Sequence, residues 1–458
     1  MNDAAADAVA GLTLELVEQA RAIRWNSAPQ DVRDLARQCL LDWIGVTIAA
    51  AGDPLARLLL DDALAEGGTP AASLVGHAER VTASQAALIN GATSHVLDYD
   101  DVNLSLNGHP SAAILPAVLA LAESKDLPGA AALAAFVAGY ETAARVGLLV
   151  APGHYARGYH STRTVGTVGC AVACAHLLGL DAQRTAHAVG IAATQASGLK
   201  SMFGTQCKPF HAGLAAHDGL RAARLAAAGM ISRTDALECT QGFALTLSPD
   251  FKPNAARAAP AKFYLRENLF KYHASCYGTH AAIDCVRELR ETHSVEPRRV
   301  ERVTVRVERG ADRICNISSP TTALEAKFSL RLMTAAALAG VDTAGLEFFK
   351  DANMRDPMLC ALRDKVVVEL VEGWPVMQAE VIVHLTDGQT VHARQDAGVP
   401  STDYGEQGRR LREKFTRLAS PVIGAARAAS ILRYVDAIDD GSVAALMRLC
   451  ASANRLGG

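Results

Sequence analysis

Val303-Thr304-Val305-Arg306-Val307-Glu308 is the point at which the hydrophobic period of this chain changes. Valine alternates there with polar residues, the period of two expected of a strand with one buried face. Val381, Val383 and Leu385 repeat the pattern and lead through Asp387-Gly388 to Val391 and Ala393. An Asp-Gly pair between two alternating runs is a strong hairpin signal. These strands are expected to form an antiparallel sheet. Between them, Thr322 with Glu325 three residues on opens one helical stretch, and another lies near Ala344 to Leu362. Residues 263–399 therefore read as an α+β domain.

On either side of that segment the period is helical. Ser27 and Gln30 have the spacing of a capping box, and Val32, Leu35, Cys39, Leu40 and Trp43 follow as one apolar stripe. The runs Ala112 to Glu123, Ala130 to Leu149 and Gly166 to Leu180 are rich in alanine and apolar nearly all round, as in helices buried inside a bundle. After Gln407 the helical period returns in Leu411, Phe415 and Leu418, then in Ile431, Leu432 and Val435. The tail is expected to rejoin the first part. The expected fold is mainly α, with a large all-helical domain from both chain ends (1–262 and 400–458) and a smaller α+β lid domain (263–399) carrying an antiparallel sheet.

Composition excludes several functions. Of 458 residues, 50% are hydrophobic and 20% charged, too much apolar material for a disordered chain. The net charge of -3 leaves no basic excess for nucleic acid. The longest uncharged stretches, Val102 to Ala122 and Thr164 to Leu180, are broken by Asn, His, Pro or Gly and lack the roughly 20 consecutive apolar residues of a bilayer span. No membrane association is expected. Met1-Asn2-Asp3 puts an acid where a signal peptide needs a base, so a cytoplasmic protein is expected. None of the ten cysteines forms Cys-x-x-Cys, which disfavours disulfides, a zinc ribbon and an iron–sulfur cluster. Cys170 and Cys174, one turn apart in an apolar run, read as small buried hydrophobes. Dinucleotide, phosphoryl-transfer and serine-hydrolase motifs are absent, so the chemistry must come from scattered residues.

Four segments place ionisable residues where apolar helices begin or end. The first runs from His95 through Asp98-Tyr99-Asp100-Asp101 to Asn107-Gly108-His109-Pro110. It reads either as a solvated turn or as a metal site, with His95 and Asp98 on one helical face. The second is Gly158-Tyr159-His160-Ser161-Thr162-Arg163. In the third, Lys208-Pro209-Phe210-His211, a Lys and a His three apart in an uncharged context suggest an anion site. The fourth begins at Lys271-Tyr272-His273 and runs through Ser275-Cys276 to Thr279-His280, where Lys271 and a helix start could share a carboxylate. Such a set suits a small polycarboxylate. Cations hold its carboxylates and stabilise charge that develops when a proton leaves the adjacent carbon, and His is a base near neutral pH.

At these segments the sequence resembles the MmgE/PrpD family, which includes 2-methylcitrate dehydratase, cis-aconitate decarboxylase and iminodisuccinate epimerase. The resemblance rests on Asp98-Tyr99-Asp100-Asp101 with Gly108-His109-Pro110, on His160 with Val165-Gly166-Thr167, and on Lys208-Pro209-Phe210-His211. It continues through Lys271 with Ser275-Cys276 and Thr279-His280 to Glu325-Ala326-Lys327-Phe328-Ser329. It implies a helical domain with an α+β lid, an active site between them, a homodimer, and cofactor-free, metal-free chemistry. It also implies catalytic roles for Asp98, His109, His160, Lys208 and Lys271. His211, Cys276, Tyr155 and Arg163, from the same neighbourhoods, are expected to contact substrate.

The resemblance has two departures. The decarboxylase branch has His where this chain has Cys276 and Tyr where it has Leu332, so decarboxylation is disfavoured. The expected function is a lyase of 2-methylcitrate dehydratase type, with an epimerase of an iminodisuccinate-like acid as the alternative. Metal-dependent hydrolysis through His95, Asp98, Asp100, Asp101 and His109 is a third reading, opposed by the positive charge of Lys208 and Lys271.

Overall fold

The computed structural model describes residues 11–257 and 262–452. Its principal elements begin with α1 Leu12–Ala22, α2 Gln30–Ala50, α3 Pro54–Glu66, β1 Ala72–Ser73, β2 Arg80–Val81, α4 Ala83–Val96, α5 Pro110–Ser124, α6 Gly129–Val150, α7 Ser161–Leu177, α8 Ala182–Ala193 and α9 Cys207–Ala227. There follow α10 His280–His293, β3 Val300–Glu308, α11 Leu330–Leu338, α12 Pro357–Arg363, β4 Val366–Val371, β5 Gln378–Leu385, β6 Thr390–Asp396, α13 Tyr404–Ile423, α14 Ala425–Asp436 and α15 Val443–Cys450. The fold is mainly α. The chain divides into two compact units, one of Met1–Val96, Asp100–Asn268 and Ser401–Gly458, the other of Leu97–Tyr99 and Leu269–Pro400.

The first unit is built from helices whose small residues let backbones touch. On α4 and α9, a Cβ at Gly213 would lie 2.2 Å from the carbonyl oxygen of Leu88, and one at Gly91 would lie 2.8 Å from Gly213 Cα. At the start of α5, a Cβ on Gly108 would lie 2.8 Å from Thr162 Oγ1 in the first turn of α7. Pro110, which has no N–H to leave unsatisfied, opens α5 behind it. Cys170 and Cys174 are fully buried, as small hydrophobes should be. By length and composition α6 could cross a membrane, but nearly all of that helix is buried in this unit and its Glu141 and Arg145 pair at 2.7 Å. The tail does pack here. Leu411 and Phe415 of α13 are buried and Lys414 Nζ lies 2.6 Å from Asp42 Oδ1 of α2.

Two local expectations fail in this unit. A short antiparallel pair, β1 and β2, lies within a part of the chain read as all helix. Ser27 does not cap α2, because Pro29, with φ fixed at -52°, takes the N-cap position and leaves Ser27 in a 3-10 turn.

The second unit holds a four-stranded sheet in the order β4-β3-β5-β6. Val303, Val305, Val381 and Val383 are fully buried on it, and β5 and β6 form the hairpin, with Gly388 at φ +88° in the turn. The sheet is mixed, not antiparallel. The strand β4, which alternation did not reveal, pairs parallel with β3 because the chain returns to it through α11 and α12 instead of a tight turn. Thr322 and Glu325 form a complete capping box. The stretch read as helix from Ala344 to Leu362 is mostly 3-10 turns, and helix starts only where Asp356 caps and Pro357 opens α12.

Gly213→Ala is expected to lower stability by about 1–3 kcal/mol in urea titrations, since a rigid carbonyl stands where the methyl must go. An unchanged midpoint would remove the backbone contact from this account.

Candidate active site

Three helix N-termini of the first unit bring the sequence motifs together. His109 is the N-cap residue of α5, His160 that of α7, and Lys208 lies in the first turn of α9 with His211 opening the second. His95, at the end of α4, packs its ring 4.3 Å from that of His109 and 6.1 Å from that of His160. His160 Nδ1 and His211 Nδ1 are 3.1 Å apart, so one donates and the other accepts a single proton. Phe203 lies edge-on to His160 at 5.0 Å, and Lys208 Nζ is 5.5 Å from the Phe203 ring centre. Partial positive charge at helix N-termini and a buried Lys together favour an anion.

Burial sets the protonation of this cluster. It pushes His95 down to about 3, with the charge of Lys208 acting in the same direction against the attraction of Asp100. Burial, Lys208 and His95 hold His160 well below its ordinary value, and burial with Arg163 and Lys208 brings His211 down to about 4. At neutral pH these three rings are therefore neutral. Burial raises Asp100, yet the His95 and His109 imidazoles outweigh it and hold this carboxylate well below its usual range. For Asp101, burial and the charges of Asp42 and Asp100 win against the hydrogen bond from Ser111 and push it up to about 7.

The Asp-Tyr-Asp-Asp run is divided between the units. The helix α4 stops at Val96 and Asp98 takes φ +50°, so His95 and Asp98 do not share a helical face. Asp98 lies in the second unit, where Lys271 Nζ donates to its carbonyl oxygen at 2.7 Å and stands 3.1 Å from its Oδ1. Lys271 thus has a protein partner in Asp98, and a second carboxylate of the run faces both His95 and His109. That carboxylate is Asp100. Lys327 also donates to this strap, at the carbonyl of Leu97, and the Tyr99 hydroxyl donates to Ala344 O at 3.3 Å.

The four expected substrate contacts separate. His211 joins the histidine cluster. The guanidinium of Arg163 is bonded to Asp218, Thr167 and the Gln195 carbonyl, which makes it a brace between α7 and α9. Tyr155 lies on the short helix Gly153–Ala156 with Lys200 Nζ 3.5 Å from its ring centre. Cys276, in the second unit, donates its backbone N–H to Lys327 O at 2.9 Å, and its thiol interacts with that of buried Cys315. Asp218 and Lys327 are contributors whose roles the sequence reading did not assign, since their partners are set by long-range packing, and Asp100, read there only as a metal ligand, is instead the partner of two imidazoles.

His95, Asp100 and His109 are of types that ligate metals. The Lys208 charge, which already opposes protonation of His95 and His160, would oppose a bound cation in the same way. A separate cavity of about 440 Å³, lined by Leu16, Ile23, Thr142, Arg145 and Phe263 among others, contains none of these histidines.

Sequence models of the MmgE/PrpD N-terminal domain and the MmgE/PrpD C-terminal domain match residues 14–256 and 273–440. A cis-aconitate decarboxylase-like protein, oryM of Aspergillus oryzae, is 28% identical over 452 residues, covering 91% of this chain and 92% of its own. Human cis-aconitate decarboxylase is 28% identical over 392 residues, 79% and 78% of the two chains. The cis-aconitate decarboxylase of Aspergillus terreus is 24% identical over 464 residues, 94% of each.

The raised Asp101 has a signed consequence. Its proton is held more tightly in the folded state, about 7 against 3.8, so the stabilisation is full below about 3.8 and is lost as pH rises through about 7. Asp101→Asn, which cannot titrate, should gain in stability relative to the parent between about pH 4 and 8. A difference that stays constant across that range in urea titrations would show that Asp101 does not titrate this way.

Proposed function

The chain belongs to the MmgE/PrpD family, and from that premise we propose that it is a cofactor-independent lyase acting on a small polycarboxylate. The observation that carries this is the set of buried, neutral His95, His160 and His211 beside Lys208, with half-buried His109 at the adjoining N-cap of α5. In the reaction, His109 Nε2 takes a proton from the carbon beside a carboxylate, and the electron pair moves to form the double bond as the β-substituent leaves. Lys208 and the helix N-termini stabilise the negative charge that develops. The proton held on His109 Nε2 is passed to the departing group, and His160 donates a hydrogen bond to that group, because donation from His211 Nδ1 puts the His160 proton on Nε2. Asp98 and Lys271, a buried ion pair within the second unit, keep the proton-transfer and anion-binding roles that the family resemblance implies for them.

Loss of water from a 2-methylcitrate-like acid is the finer reading. Leu332, where the decarboxylase branch has Tyr, is fully buried in the apolar core of the second unit, and Cys276, where that branch has His, offers a thiol beside Cys315. Neither substitution provides the corresponding donor. The printed names of the relatives favour a second reading, decarboxylation of cis-aconitate. Incubation of purified protein with each acid separates them: alkene absorbance from 2-methylcitrate marks the hydro-lyase and CO₂ from cis-aconitate the decarboxylase. Neither signal, with solvent deuterium entering a stereocentre of an iminodisuccinate-like acid, would mark an epimerase. A cytoplasmic homodimer free of nucleic acid and membrane completes the proposal, and sedimentation checks its oligomeric part.

The two lysines should behave differently when truncated. Lys208→Ala is expected to lower kcat/KM about 10–100-fold, the loss of a charge-assisted contact worth about 1.5–3 kcal/mol. Lys271→Ala leaves the Asp98 charge buried and should also reduce stability, by about 3–5 kcal/mol. Equal melting temperatures for the two variants would undo the distinction.

A further inference from the structure

The carboxylates of the Asp-Tyr-Asp-Asp run sit in different sets of contacts. Asp98 pairs with Lys271, and Asp101 accepts from Ser111 Oγ at 2.5 Å and Asn268 Nδ2 at 3.1 Å. Asp100 faces two imidazoles: its oxygens lie 2.9 and 3.0 Å from His95 Nδ1, and its Oδ2 lies 3.0 Å from His109 Nδ1. Its side chain is almost fully buried, so its partners are not surface accidents.

We propose that Asp100 is a positioning residue of the proposed lyase, holding the His109 ring so that Nε2 is its basic nitrogen and stabilising the imidazolium formed when that nitrogen takes a proton. The inference rests on His109 being the base, as set out above.

The proton positions follow from the acceptors. An ionised carboxylate can only accept, so both facing Nδ1 atoms must carry hydrogen. The carbonyl oxygen of Asp101, 3.0 Å from the same His109 Nδ1, makes the same demand independently. His95 shows the consequence. With its proton on Nδ1, its buried Nε2 has no hydrogen-bond partner among the described residues, a penalty of about 1–3 kcal/mol accepted for the contact with Asp100. The His95 ring then packs 4.3 Å from that of His109 and braces it from the side. Other titratable groups of this cluster in the first unit include Asp101, whose backbone carbonyl faces His109, His160 on α7, and Lys208 on α9, which acts on His95 and His160. None of the other three supplies a carboxylate to His109 Nδ1, because Asp101 meets that nitrogen only through its backbone.

The test uses the full-length protein labelled with ¹⁵N-histidine. In Asp100→Asn, the His109 imidazole should titrate about 1–3 pH units lower by NMR, for want of the anion. The value of kcat should fall about 10²–10⁴-fold with KM changed little, since the lost interaction is made mainly after proton transfer. An unmoved His109 titration, or kcat within a few-fold of the parent, overturns the proposal. If the parent turns over none of the three acids, the lyase reading fails, and the NMR titration alone decides whether Asp100 governs His109. Should Asp100→Asn not fold, Asp100→Glu replaces it: the charge stays but the carboxylate moves by one methylene. A retained titration with kcat reduced at least 10-fold then supports positioning, and parental kcat refutes it.

Discussion

The site depends on helices packed at backbone contact. With glycine at 91 and 213, α4 and α9 approach until main-chain atoms meet, and that proximity places His95 at the end of one helix near Lys208 and His211 at the start of the other. Gly108 does the same where α5 meets α7, where the backbone N–H of His109 donates to Thr162 Oγ1 at 3.1 Å. Larger side chains would separate the helix ends, and the imidazoles with them. The alanine-rich, nearly all-apolar helices are what permits polar chemistry at their ends.

Burial then sets the charge state. Three histidines beside a lysine would repel one another if protonated, and in a low-dielectric interior they are instead held neutral. Only Asp100 gains enough from its two imidazole neighbours to remain ionised well below the usual range, whereas Asp101, one residue on, faces the like charges of Asp42 and Asp100 and is pushed the other way. Adjacent carboxylates thus acquire opposite tendencies. In the second unit the same economy of charge appears as Lys271 with Asp98, and Lys327 with the Leu97 carbonyl, which together tie the Leu97–Tyr99 strap to that unit.

Much of this was legible in the sequence where the cause is local. The Asp387-Gly388 turn, the Thr322/Glu325 box, the valine alternation of β3 and β5 and the buried stripes of α2 and α13 each follow from residues a few positions apart. The motif residues His109, His160, Lys208 and His211 could also be singled out, because ionisable side chains are conspicuous at the ends of apolar helices. The match of both family domains to the chain bears out the family resemblance that these motifs suggested.

What the tertiary structure alone decided is the choice of partner. The parallel pairing of β4 with β3 depends on where the chain returns after α11 and α12, and Lys271 meets Asp98 across 173 residues. Arg163 was expected to meet substrate and is spent on Asp218 because α7 and α9 pack together. Among three carboxylates within four residues, nothing local says that Asp100 will face both His95 and His109; the end of α4 at Val96 and the left-handed turn at Asp98 divide the run between the two units. Sequence determines which groups are available and which short-range structures they form. Long-range packing determines which of them meet, because a hydrogen bond or ion pair is fixed by ångström-scale position, which spacing along the chain does not encode.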